Sequence, residues 1–384
     1  MRILHICLAN YFIDNYAYQE NMLTKYHKLA GNEVFVLASL FTFDSNGKGA
    51  YLKEGGSYVN EHGVNVKRIE FKKNNKFCRR FRYYRGVYES IEECNPDVIF
   101  LHNVQFMDIK EVVKYLKKHP NVRVFADNHA DFLNSAANWV SKKFLHGIIW
   151  KNCAKKIEPF VTKFYGVLPA RVDFLKNVYG LPENKVELLV MGADDEKVEA
   201  ARDEVVRKEI RNKLGIEDDD FAIITGGKID KNKPETLDLM KVVSRLDKKI
   251  KLVVFGSVVP ELKEAFDELV ENENIIYIGW INATDVYEYY AAADLAFFPG
   301  KHSVLWEQAV GLGIPCVFRK MNGFTHVDID GNCVLMDEIN QDTMKECIEK
   351  IYSDKEIYEN MKKVSLEKGM DVFSYKKIAE RSIR

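Results

Sequence analysis

The sequence predicts an α/β protein made of two parallel, doubly wound, Rossmann-like domains. Three observations carry that prediction. The chain has 384 residues, too many for one ordinary core. Short apolar runs alternate with helix-length segments, which is how strands of a parallel sheet read when helices cover both faces. After a strongly charged stretch, 194–220, the alternation starts again.

The first series is "RILHICLA", the helical "YAYQENMLTKYHKLAG", "NEVFVLAS", "PDVIFLHN", "VRVFADNHA" and "KVELLVMGAD". The second opens with "DDDFAIITGGKIDKNKP", a strand entering a Gly-rich turn, and continues through "KIKLVVFGS", "NIIYIGWI", "ADLAFFPG" and "PCVFRK". The charged stretch reads as a linker plus a lead-in helix, and the closing 371–384 as one amphipathic helix. The domains are therefore placed at 1–192 and 193–370, facing each other across a cleft.

Composition narrows the function classes. Hydrophobic content of 47% with 29% charge is that of a soluble globular chain. Lys plus Arg is 56 against 57 Asp plus Glu, which speaks against a nucleic-acid coat and against a polyacid. The seven cysteines are scattered singly, without CxxC or Cys/His ligand spacing, as expected of buried thiols in a reducing cytoplasm. The opening apolar run reads as a strand and not a secretion signal. No run of about 18 apolar residues is present to span a membrane.

Ligands of doubly wound domains bind beyond the carboxyl ends of the strands, so the residues after each strand are the candidates. In "GGKIDKNKP" (226–234), Gly226 and Gly227 let backbone approach a ligand, and Lys228 and Lys233 add cations suited to a diphosphate. Neither GxxxxGK[ST] nor GxGxxG order is present. A solvated lysine-rich turn explains the stretch equally well.

In "PGKHSVLWEQAVGLGIPCV" (299–317), Ser303 reads as an N-cap and Val304 to Gly311 as a helix. The helix start favours an anion. Glu307, about one turn in, has two oxygens suited to the 2′ and 3′ hydroxyls of a ribose. The competing reading is an ordinary first-turn acid complementing the helix dipole.

"FADNHADFLN" (125–134) puts Asp127, Asn128, His129 and Asp131 at a strand's carboxyl end, where His129 meets a sugar hydroxyl or is simply structural. Tyr16, Tyr18 and Gln19 open the first helix and suit an acceptor sugar, or else pack the helix start. The stretch 67–86 carries nine Lys or Arg with interleaved aromatics, read as contact with an anionic membrane or a lipid-phosphate acceptor, with a solvated face as the alternative. "DID" at 328–330 precedes a turn and is not read as a metal site, so a metal-independent site is expected.

In order and spacing, these pieces resemble a retaining glycosyltransferase of family 4, with the GT-B fold. The family's phosphate loop, Gly-Arg, four residues, Lys-Gly, corresponds to Gly227-Lys228 and Lys233-Pro234. Its "NG-V-D" corresponds to "MGAD" (191–194), its "ADxxxxPS" segment to 278–300, its "LEAMAxGxPVI" to 304–318, and its tail to "DIDGNCVLM".

The resemblance implies a donor site of Gly226, Gly227, Gly256, Trp280, Ile281, His302, Ser303, Val304, Leu305 and Glu307. It implies reaction-centre roles for His129, Lys228 and Lys233, and an acceptor site with Tyr16, Tyr18 and Gln19. It also implies that 371–384 crosses back to the first domain. The substrate would be a nucleoside-diphosphate sugar, UDP favoured, and the acceptor a glycan or lipid-linked glycan, in the cytoplasm at the inner face of the membrane. No cofactor, metal or nucleic acid is implied.

Three departures stand out. Pro299 replaces the first glutamate of the family's pair, Lys228 replaces an Arg, and Tyr16-Ala17-Tyr18 replaces a Gly-Gly turn. Two other functions share parts of this pattern: a non-hydrolysing sugar-nucleotide epimerase, and an inactive sugar-nucleotide-binding partner of a glycosyltransferase complex.

Overall fold

The computed structural model describes residues 1–44, 48–132, 135, 141–230, 234–282 and 284–384, with 141 and 142 as backbone. It contains two compact units, Met1–Val190 with Ile378–Arg384, and Met191–Lys377. The division falls after Val190 and the chain re-enters the first unit at Ile378, where the sequence put the boundary at 192/193 and the crossing at 371.

Among the described residues the first unit holds ten strands: β1 Arg2–Cys7, β2 Glu33–Ala38, β3 Phe41–Phe43, β4 Gly49–Tyr51, β5 Gly56–Val59, β6 Asn65–Arg68, β7 Val98–His102, β8 Arg123–Asn128, β9 Lys163–Gly166 and β10 Val186–Leu188. Eight form one sheet in the order β10-β9-β8-β7-β1-β2-β6-β5, parallel except for the edge strand β5. β3 and β4 make a separate antiparallel pair. Ile99, Phe100 and Leu101 of β7 are all fully buried, as the apolar run in a strand covered on both faces requires.

The second unit holds β11 Phe221–Gly226, β12 Ile250–Phe255, β13 Ile275–Tyr277, β14 Leu295–Phe298, β15 Cys316–Arg319 and β16 Cys333–Met336. They pair in the order β13-β12-β11-β14-β15-β16, all parallel.

Several local expectations are corrected. The first helix begins at Gln19, because Tyr18 is extended (ψ 160°). The charged stretch contains the expected lead-in helix, Glu204–Leu214, but the part read as a linker holds a second helix, Asp195–Ala201. The lead-in helix is anchored by charge: Arg207 Nη2 donates to Asp294 Oδ1 (2.6 Å) and Arg211 Nη1 to Asp294 Oδ2 (3.2 Å). The closing segment is not one helix. Lys355–Phe373 ends at Ser374, whose backbone is extended, and Tyr375–Ser382 follows. Among the described residues no helix is long and apolar enough to cross a membrane. All seven cysteines are free.

Strand order decides where ligands can enter. In each sheet the chain first builds outward on one side of a central strand and then jumps to the other side. The reversals fall between β1 and β7 and between β11 and β14. At such a switch point, successive loops diverge and leave a crevice at the strands' carboxyl ends.

In the second unit the loops after β11 and β12 are pressed together there. Gly227 N–H donates to Phe255 O (3.0 Å) and Gly256 N–H to Gly279 O (2.7 Å). Gly256 has φ +115°, and a Cβ on it would stand 1.8 Å from Gly227 O. Gly256→Ala therefore lowers unfolding free energy by about 2–4 kcal/mol through strain and clash. Denaturant unfolding checks this, and an unmoved midpoint would contradict the close approach.

Candidate active site

In the second unit, the Gly-rich turn and the Glu307 helix meet at the β11/β14 switch point. A Cβ on Gly227 would contact Leu305 Cδ1 at 3.7 Å, so turn and helix start are neighbours. Gly226 ends β11. Lys228 is largely exposed (65%), with Nζ 3.6 Å from Asp230 Oδ2. Lys233 lies outside the described residues. Trp280 and Ile281 follow β13, two strands away from β11, and Trp280 is 68% exposed.

The helix runs Leu305–Leu312, one residue later than expected at each end, with Val304 at the cap position. Ser303 does not cap through its hydroxyl; its carbonyl accepts from Trp306 N–H (3.0 Å). Every residue from Trp306 to Leu312 is buried, so this is a core helix without a solvated face.

That burial changes what Glu307 is. It is fully buried, so it is not a solvated first-turn acid. Its Oε1 accepts from His302 Nε2 (2.8 Å) and from His326 Nε2 (2.7 Å), while Oε2 is buried without a hydrogen-bond partner. An ionised carboxylate only accepts, so both rings carry their proton on Nε2. Burial pushes the carboxyl pKa up, but the His302 and His326 contacts outweigh it and hold it down to about 2. Nineteen residues separate Glu307 from His326. No local motif joins them, so sequence reading had no signal for His326.

In the first unit, His129 follows β8 and is embedded in a polar cluster. Its Nε2 lies 3.3 Å from Asp127 Oδ2 and 3.8 Å from Glu20 Oε1, and its backbone N–H donates to Asn103 Oδ1 (2.9 Å). Burial works against the imidazolium, but Asp127 and Glu20 overcome it and raise the His129 pKa. His129 is thus biased toward a charged donor.

Behind Asp127 runs a line of histidines. Asp127 Oδ2 is 2.8 Å from His102 Nδ1, His102 Nε2 is 2.9 Å from His5 Nδ1, and His5 Nε2 is 3.0 Å from His27 Nδ1. His27 Nε2 faces Ala379 O at 2.9 Å and Ser382 Oγ at 3.2 Å, both from the returning C-terminal segment. These three histidines are each at most 1% exposed.

Both ends of the line, Asp127 Oδ2 and Ala379 O, only accept. Four contacts need four protons, and three neutral rings supply three. The line is satisfied with one extra ring proton, or with the Ser382 hydroxyl turned to donate to His27 Nε2. Burial pushes the pKa of His5 well down and that of His27 down to about 4, which disfavours the extra proton on either of those rings, while the Ser382 hydroxyl also donates to Ala379 O (2.8 Å). His5 and His102 are lone polar residues inside the apolar runs "ILHIC" and "IFLHN", a signal that sequence reading passed over.

Tyr16 and Tyr18 stack on each other (5.2 Å), and Tyr16 also lies against Phe43 (5.5 Å). Gln19 is buried, with both amide atoms lacking a partner. Among the described residues, two groups bring metal-ligand atom types within 4.8 Å, Glu20 with His102 and His129, and His302 with Glu307 and His326. In both, ring nitrogens already face carboxylate oxygens, and we assign a metal to neither. Three of the nine cations of 67–86 are ion-paired: Lys67 with Glu93, the buried Arg68 with Asp14 (3.1 Å), and Lys72 with Asp108 (2.8 Å).

Residues 206–367 match the family described as glycosyl transferases group 1, a match lying wholly within the second unit. No curated protein matches the chain by sequence. Among solved structures, a glycosyltransferase from Rickettsia africae is similar at TM-score 0.68 and 14% identity, over 99% of this chain and 96% of that one. Anabaena Alr3699/HepE in complex with UDP gives 0.66 and 13%, over 99% and 98%. UDP-GlcNAc 2-epimerase from Neisseria meningitidis bound to UDP-GlcNAc gives 0.66 and 12%, over 100% and 99%. At such identities the likeness establishes the fold. The fold is GT-B, and residues 206–367 of its second unit are similar to the group 1 glycosyl transferases.

Two expectations follow from the buried carboxylates. The folded-state pKa of Glu307 lies below its usual 4.5, so the stability it contributes is full above that pH and is lost as pH falls toward about 2. Glu307→Gln flattens this part of an acid-unfolding curve; an unchanged curve would refute the ionised assignment. Ser382→Ala removes the fourth donor of the neutral histidine line, so the line takes up its extra proton at higher pH. Histidine nitrogen NMR reads this directly, and unchanged midpoints would overturn the proton count.

Proposed function

We propose that this protein is a retaining glycosyltransferase that moves a hexose from a nucleoside-diphosphate sugar, UDP favoured, to a glycan or glycolipid acceptor in surface-polysaccharide synthesis, without a metal. The observation that carries the reading is Glu307: a buried, ionised carboxylate beside the β11/β14 switch point, with one oxygen held by two imidazoles and the other without a partner. That second oxygen suits a ribose hydroxyl, which would supply the missing donor. The group 1 match over this unit supports the same assignment.

In this reading the bond from the anomeric carbon to the diphosphate oxygen breaks, and the electron pair leaves with the diphosphate. Lys228, Lys233 and the N–H groups at the Leu305–Leu312 helix start stabilise the charge that develops. The acceptor hydroxyl forms the new bond on the same face, and its proton passes to the leaving phosphate. His129, biased toward its charged form, donates to a sugar hydroxyl and does not serve as a base.

The epimerase reading is kept alive by the likeness to a solved 2-epimerase, because fold alone does not separate the two. Calorimetric titration of UDP, GDP and dTDP without metal tests the donor site. UDP is expected to bind, and Glu307→Ala to weaken it by about tenfold or more. If no nucleotide binds, or the substitution changes nothing in a protein whose circular dichroism is intact, the ribose role is wrong. Incubation with UDP-sugar then separates the reactions: transfer needs an acceptor, whereas epimerisation proceeds without one.

A further inference from the structure

The β1/β7 switch point of the first unit opens into a cavity of about 430 Å³. Residues following β1, β7 and β8 wall one part of it, His129 among them, and Arg80, Arg82 and His146 wall another. Among the described residues, none that lines it is Asp or Glu. Tyr16, Tyr18 and Gln19 do not line it.

Arg82 is held in place for this cavity. It ends the helix Lys76–Phe81 in the left-handed region (φ 57°, ψ 61°), which few non-glycine residues adopt. Its Nη1 donates to Gln105 O (2.6 Å), and its guanidinium carbon sits 5.7 Å from the Trp150 ring centroid. No carboxylate is paired with it among the described residues, and none with the exposed Arg80. The field of the two reaches His146: burial first, then Arg82 and Arg80, push its pKa down to about 4. His129, on the same cavity, is biased toward its charged form by Asp127 and Glu20, which do not line the cavity. Two guanidiniums facing one polar cavity without a carboxylate partner favour an anion there. A guanidinium fork matches the oxygens of a phosphate or carboxylate.

We infer that this cavity is the acceptor subsite and that the acceptor is anionic, carrying a phosphate or carboxylate bound by Arg80 and Arg82. The word acceptor rests on the glycosyl-transfer reading above; the anionic specificity rests on the cavity alone. It gives the basic stretch 67–86 a more specific use than a charged face. Lys67, Arg68 and Lys72 are consumed in ion pairs, while Arg80 and Arg82 are delivered to the cavity.

The test is calorimetry on the full chain with glucose 6-phosphate, glucuronate and neutral methyl glucoside, for wild type, Arg80→Gln and Arg82→Gln. UDP is titrated in the same samples. The charged sugars are expected to bind at least about tenfold more tightly than the neutral one, and each substitution to remove about tenfold of that preference with UDP affinity unchanged. His146 is an independent reporter: glucose 6-phosphate should raise its titration midpoint by neutralising the arginines.

Equal binding of charged and neutral sugars overturns the inference, as does a preference that survives Arg80→Gln, the exposed position at which folding is not at stake. Capture by phosphatidylglycerol vesicles without binding of either soluble anion overturns it in favour of a lipid surface. UDP binding without binding of charged sugars removes this inference only. The converse removes the transfer reading and leaves an anionic-sugar site.

Discussion

A carboxylate taken out of water must find donors and opposite charge, or it costs several kcal/mol. Each unit buries such a carboxylate at its candidate site and meets that demand with imidazoles. Glu307 receives two Nε2–H groups on a single oxygen, and Asp127 receives His102 while holding His129 beside it. The rest of each site is arranged around this demand. Saturating one Glu307 oxygen leaves the other as an acceptor in search of a proton. Keeping Asp127 ionised is what biases His129 toward its charged form.

The imidazoles reach these positions through topology. His102 and Asp127 are register partners on neighbouring strands, and His5 sits on the strand that flanks β7. His27 comes from the first helix, and Ala379 and Ser382 come from the segment that returns after the second unit. The end of the chain therefore completes a proton line whose other end is the carboxylate beside His129. The same strand reversals open the crevices at which both candidate sites lie, so sheet order and site chemistry are one arrangement.

Much of the fold was legible in the sequence. Apolar runs such as "VIFLH" and "AIITG" are strands because only buried strands of a parallel sheet tolerate unbroken apolar sequence. The strands that were missed, β3 to β6, β9 and β16, are short, polar or at an edge, where periodicity carries little weight. The stretch 194–220 misled for a different reason. Its density of charge suggested a linker ahead of the lead-in helix, yet Arg207 and Arg211 converge on Asp294, a partner more than eighty residues away.

What the sequence by itself determined is local: two series of parallel strands, a glycine turn directly after β11, Glu307 one turn into a helix, and His129 after β8. Each depends on neighbours in the chain, and local pattern records those neighbours. Only the tertiary structure decided that Glu307 is buried between His302 and His326, that three distant histidines line up behind Asp127, and that Arg80 and Arg82 share a cavity with His129. These are electrostatic relations between residues far apart in sequence. Their sign and strength depend on distance and burial, which exist only once the chain has folded.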